Sequence, residues 1–146
     1  MLRSNRGFTL AEMMIVILLM GLMLAFAVPA FKRLGASQGL KGARENMVAQ
    51  LQLARARALS TGTRQIMHFY PGTYGFDYHL HTANPIGWNF PNGVSYGFSG
   101  TTSFAVWMEK DGTASFPDGI SIIPLKNRQG LRDTVAILAS GLVISQ

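Results

Sequence analysis

One acidic residue at the head of a membrane-length apolar run constrains this chain more than any other feature. Met13 to Phe31, nineteen residues, carry no charge, and Glu12 stands immediately before them. A helix needs about 20 apolar residues to cross the hydrocarbon core of a bilayer, so the run is long enough to span one. An ionisable side chain at such a position is costly and marks a candidate functional site. Three arrangements compete. Arg3 and Arg6 ahead of an apolar stretch suit a cleaved secretory signal. The run, however, exceeds the usual signal core of about 7–15 residues, and Ala25-Phe26-Ala27, a small-x-small triplet near its end, is followed by more apolar sequence. A plain membrane anchor explains the length and leaves Glu12 without a reason. A membrane helix that also packs against its own kind explains both, with Glu12 needing a partner.

The residues around Glu12 sharpen the third reading. Gly7-Phe8-Thr9-Leu10-Ala11-Glu12 followed by the apolar run resembles the class III signal of type IV pilins and of the pseudopilins of type II secretion. The resemblance implies that prepilin peptidase cuts after Gly7 on the cytoplasmic side and that the new N-terminus, Phe8, is N-methylated. It also implies that Glu12 pairs with the free N-terminus of a neighbouring subunit during assembly. Gly21 and Pro29 fall where pilins place a helix-loosening glycine and proline. The chemistry agrees: a glycine before the cut lets an extended backbone enter a protease cleft without a side-chain clash. Two poorly solvated opposite charges in lipid favour docking in one register.

Charge separates the chain into two parts. Residues 1–64 hold nine Lys/Arg against Glu12 and Glu45, whereas residues 65–146 hold four against five acids. The net charge of +6 invites a nucleic-acid reading, yet the excess lies along the N-terminal third. Lys32 and Arg33, where the helix leaves the apolar run, are placed to meet lipid headgroups. Basic residues flank both ends of the run, so charge alone does not orient it; the resemblance does, with the leader cytoplasmic and the head periplasmic at the bacterial inner membrane. The chain has no cysteine, which excludes the C-terminal disulfide loop of many major pilins.

Beyond the run, Leu40, Met47, Leu51, Ala54 and Ala58 recur at helical spacing, while Gly35, Gly39 and Gly42 weaken the join. Gly62 is expected to cap the helix. Pro29 should kink the helix or open its hydrogen bonds locally. The remainder predicts antiparallel β structure: a strand over 65–70, an alternating strand over 74–81, and a hairpin turning at Lys110-Asp111-Gly112. A strand over 120–125 and a terminal hairpin turning at Ser140-Gly141 follow. Residues 82–102 read as a loop with one short strand. The fold class is therefore α+β, a long N-terminal transmembrane α-helix packed against an antiparallel β-sheet head. The segments are 1–7 (cleaved leader), 8–34 (transmembrane and filament-core helix), 35–62 (amphipathic helix continuing into the head) and 63–146 (β head). This order is similar to the minor subunits of the pseudopilin H and FimT/FimU type.

Other chemistry is thin. Asp77, His79 and His81 would share one face of a strand, and histidines at i and i+2 can bind zinc or copper; the simpler reading is a solvated strand face. No nucleophile elbow, HExxH or P-loop occurs, so neither an enzyme nor a cofactor is expected. The FimT-like alternative, DNA binding in natural transformation, relies in that branch on a Gly-Arg-x-Arg motif. The corresponding turn here is Gly141-Leu142-Val143-Ile144, without either arginine. Lys126, Arg128 and Arg132 form a small basic loop as a fallback, and nucleic acid is not a favoured partner. The expected partners are prepilin peptidase, other pilins or pseudopilins, the inner-membrane assembly platform and membrane lipid. The resemblance implies a structural subunit, in a tip complex that primes either a type IV pilus or a type II secretion pseudopilus.

Overall fold

The computed structural model describes residues 8–72, 74–100 and 102–145. Contacts divide the chain into two units, Met1–Gly35 and Ala36–Gln146. One helix, α1 (Leu10–Thr61), supplies residues to both.

In the first unit the helix is apolar on every side from 13 to 31, between Glu12 and Lys32, and none of its described residues is buried. A helix hydrophobic all round belongs in a core or a membrane, and this one is long and apolar enough to cross a bilayer. The helical assignment continues through Gly21 and Pro29. The ring nitrogen of Pro29 carries no hydrogen, so the carbonyl of Ala25 lacks its usual helical donor there.

In the second unit the helix becomes one-sided. Leu40, Ala43, Met47, Leu51, Ala54 and Ala58 are buried, the stripe expected from spacing with Ala43 added. Gly62 ends the helix at φ 63°, a left-handed cap that glycine adopts without steric cost. Ser60 and Thr61 donate their hydroxyls to the Arg57 carbonyl at 3.1 and 2.7 Å, satisfying an acceptor the ending helix leaves open.

The helix stripe packs into a core shared with two antiparallel sheets. The strands are β1 (Gln65–Phe69), β2 (Tyr78–Leu80), β3 (Ile86–Trp88), β4 (Val94–Tyr96), β5 (Phe104–Met108), β6 (Ala114–Ser115), β7 (Ile122–Asn127), β8 (Arg132–Ile137) and β9 (Val143–Ser145). They form one sheet in the order β3-β2-β1-β5-β6 and another in the order β4-β7-β8-β9. Side chains alternate across a strand: in β1, Met67 and Phe69 are fully buried while His68 points to the other face. Val135 and Ile137 of β8, with Ile123 and Leu125 of β7, repeat the pattern in the second sheet.

Two expectations need correction. The strand over 74–81 contracts to Tyr78–Leu80, because Asp77 is pinned outside the ladder. Its N–H meets the Trp88 carbonyl and Asn89 Oδ1 (both 3.0 Å), its Oδ2 accepts the Phe90 N–H (2.7 Å), and its carbonyl accepts Tyr70 N–H (2.8 Å) and the Tyr96 hydroxyl (2.6 Å). The segment 82–102 contains two short strands, β3 and β4, one in each sheet.

Two of the head hairpins are tied to the helix at one point. Arg55 donates from Nε to the Gly112 carbonyl (2.8 Å) in the β5–β6 turn and from a terminal nitrogen to the Ser140 carbonyl (3.1 Å) in the β8–β9 turn. Gly141 lies between them at φ 75°, and a Cβ there would collide with the Gly112 carbonyl oxygen. Gly141→Ala therefore combines left-handed strain with a backbone clash, a cost of roughly 2 kcal/mol or more. In the full chain in detergent, thermal unfolding of the head should fall by on the order of 10 °C. Gly130→Ala, at φ 82° with open space around it, is the control for strain alone and should fall by clearly less. Equal losses in the two variants would rule out the clash.

Candidate functional site

The first described turn of α1 is closed by its own side chains. The Thr9 carbonyl accepts the Met13 N–H at 3.2 Å. Thr9 Oγ1 accepts the Glu12 N–H at 3.2 Å and donates to Glu12 Oε2 at 3.2 Å, and Oε2 also accepts the Thr9 N–H at 3.0 Å. This is a reciprocal capping box, with Thr9 as N-cap and Glu12 three residues on. The carboxylate also sits where the helix dipole favours negative charge. The Thr-x-x-Glu spacing before an apolar run is a readable signal for it, and it supplies the local partner that the apolar-run argument left Glu12 without. Glu12 Oε1 has no hydrogen bond among the described residues. Phe8, one residue before the cap, is 77% exposed and Leu10 is 79% exposed. Gly7 and the rest of the expected leader lie outside the described residues.

The other candidates fall on the head. Lys126 and Arg132 face each other in the β7–β8 register, and Arg128 sits in the turn between them, all three exposed. Asn127 shapes this turn: its side-chain oxygen accepts the Gln129 and Leu131 N–H groups, each at 3.0 Å, and its amide donates to the Ala36 carbonyl at 3.2 Å. Next to it, Asp133 pairs with Arg44 of the helix at 3.1 Å. Gly141-Leu142 forms the β8–β9 turn, with Leu142 exposed and uncharged.

His79 and His81 do come together, but their third companion is His68 of β1, not Asp77. Donor atoms of His68, His79 and His81 all lie within 4.8 Å of one another. The Asp77 carboxylate is committed to the Phe90 N–H. Linear spacing does not place His68 with them, because it joins the others only through strand register, His68 opposite His79.

Residues 2–28 match the prokaryotic N-terminal methylation motif. No curated protein and no solved structure matches the chain. The motif is that of type IV pilin-like prepilins, a class whose members are structural and not enzymes, and it covers the capped helix start together with most of the exposed apolar segment. Residues 2–28 thus have the features of a pilin-like precursor that is processed and N-methylated, and the helix they open is long and apolar enough for membrane anchoring.

Proposed function

We propose that this chain is a minor pilin or minor pseudopilin, a non-catalytic subunit of a type IV pilus or a type II secretion pseudopilus, acting in the tip complex that primes assembly. The observation that carries the reading is the methylation motif placed on a capped helix start whose apolar segment has no buried residue. In this account the subunit first resides in the inner membrane with its leader cytoplasmic and its head periplasmic. Prepilin peptidase cuts after Gly7, and the Phe8 amine is methylated. The helix of residues 8–34 then leaves the lipid for a bundle of like helices. Exposed apolar surface on every side of its uncharged run, residues 13–31, suits either environment. Head-to-tail addition gives an open helical polymer.

Glu12 has two tasks in this reading. Oε2 caps its own helix, and Oε1 is left to take the amine of a neighbour's Phe8. Pairing the two charges away from water favours a single register of addition. Gly21 and Pro29 loosen the helix for the transfer. The head, with its own core, chooses neighbours.

Deleting the gene and scoring surface pili, twitching and release of secreted enzymes in one strain tests the reading. Lost pili with normal secretion assign the chain to a type IV pilus, and lost secretion with normal pili assign it to a type II pseudopilus. A deletion strain with both pili and secretion intact would reject the subunit role. The FimT-like alternative draws on the Lys126, Arg128 and Arg132 cluster alone, and predicts DNA binding that weakens steeply with salt.

A further inference from the structure

All three histidines of the chain converge on the face of the first sheet that points away from the core. His68 and His79 are direct cross-strand partners, with ring centroids 5.2 Å apart. His81, just past β2, places its ring 5.2 Å from His68 and 6.2 Å from His79. Its N–H reaches the Ile66 carbonyl at 2.8 Å, which holds this backbone beside β1.

An outward-facing strand residue is ordinarily wet, yet His79 is only 8% exposed. The segment after β1 folds over it: Tyr70 stacks on His79 at 5.4 Å, Tyr74 stacks on Tyr70 at 4.2 Å, and Phe76 lies 6.4 Å away. Gly87, opposite His79 in the register, leaves the space that the Phe76 ring fills; a Cβ there would overlap that ring. Inside this wall, Nδ1 of His79 is buried with no hydrogen-bond partner among the described residues. A buried polar nitrogen without a partner is expensive and calls for an explanation at the site itself.

We propose that His68, His79 and His81 bind one divalent transition-metal ion, with Zn2+ as the ion best suited. The site belongs to the head and does not depend on the subunit role proposed above. Imidazole nitrogens suit Zn2+, Cu2+ and Ni2+, and three histidines plus one open position is a known zinc arrangement. Zinc–nitrogen distances of about 2.0–2.1 Å put tetrahedral ligands about 3.3 Å apart. The present spread, within 4.8 Å, closes by side-chain rotation of an ångström or two, and exposed His81 has the freedom to supply it. Burial, followed by the neighbouring imidazoles, lowers the proton affinity of His68, and the same two causes lower that of His79. Both therefore favour the neutral form that ligates a metal. The Asp118 carboxylate opposes this at His68. It also accepts the N–H of Ala105, the β5 residue opposite His68, at 2.9 Å, and so brings a negative charge to the rim of the site.

The test uses the full chain in detergent without a histidine tag. Co2+ titration should produce visible absorption saturating at one ion per chain, and Zn2+ should displace it. Zinc should also shift the imidazole NMR signals of all three histidines together. His81→Ala changes an exposed side chain and should bind at least about tenfold more weakly with its metal-free thermal unfolding unchanged; His68→Gln should do the same. The wild-type imidazole signals decide the matter even if a variant folds poorly. Absence of saturable binding, imidazole signals unmoved by zinc, or a folded His81→Ala that binds like wild type would each overturn the proposal.

Discussion

Glu12→Gln should be processed like the wild-type chain and keep its helix start, yet fail to enter a filament. Glutamine can replace glutamate in a capping box, so the contacts of Thr9 to the side-chain oxygen can be retained while the charge is removed. Thr9→Ala makes the opposite change: the charge stays and the cap is lost, at a cost of about 1 kcal/mol. If Glu12 sets register through its charge, sheared filaments contain Thr9→Ala and lack Glu12→Gln. If its role is only to cap the helix, the two variants exchange behaviour. Glu12→Ala removes both functions and should be absent from filaments as well. Immunoblots of sheared and membrane fractions, with the processed form as the loading reference, distinguish these cases. Glu12→Gln present in filaments at the wild-type level contradicts the pairing account.

Gly7 should be equally decisive one step earlier. Replacing it with leucine places a branched side chain beside the bond to be cut, where glycine allows the extended backbone to enter without a clash. The variant should accumulate in the membrane as the uncut chain, with Phe8 never becoming a terminus. Its head should fold normally, since the second unit begins at Ala36 and makes its own core. Mature protein from Gly7→Leu at wild-type levels would move the cut elsewhere.

Periodicity made the helix legible. Leu40, Met47, Leu51, Ala54 and Ala58 showed their face by spacing alone, and all five are buried. Turn chemistry located the β5–β6 and β8–β9 hairpins, where Gly112 and Gly141 hold φ of 82° and 75°. The strand is shorter than the alternation over 74–81 implies, because alternating aromatics imitate a strand even when a carboxylate diverts the chain. Tyr78 and Leu80 do face the core, but Tyr74 is 64% exposed and stacks on Tyr70 on the outer side. The short strands β3 and β4 were hidden among Gly, Asn and Pro, and are held by pairing with β2 and β7 more than by their own propensity.

The candidate residues divide in the same way. Phe8 and Glu12 stand in a linear motif that spacing reveals. The cap supplied by Thr9 was equally local and could have been read from Thr-x-x-Glu. His68 was not local: it meets His79 only because β1 and β2 pair in one register, and a one-residue slip would turn it to the core. Arg55 likewise joins two turns distant in sequence, and no pattern along the chain announces it.

The mass of the intact protein purified from membranes that contain prepilin peptidase tests the central claim most directly. The account predicts a chain that begins at Phe8, lacks residues 1–7 and carries one added methyl group on its terminal nitrogen. A chain still bearing those seven residues, or one starting at any other position, would contradict it.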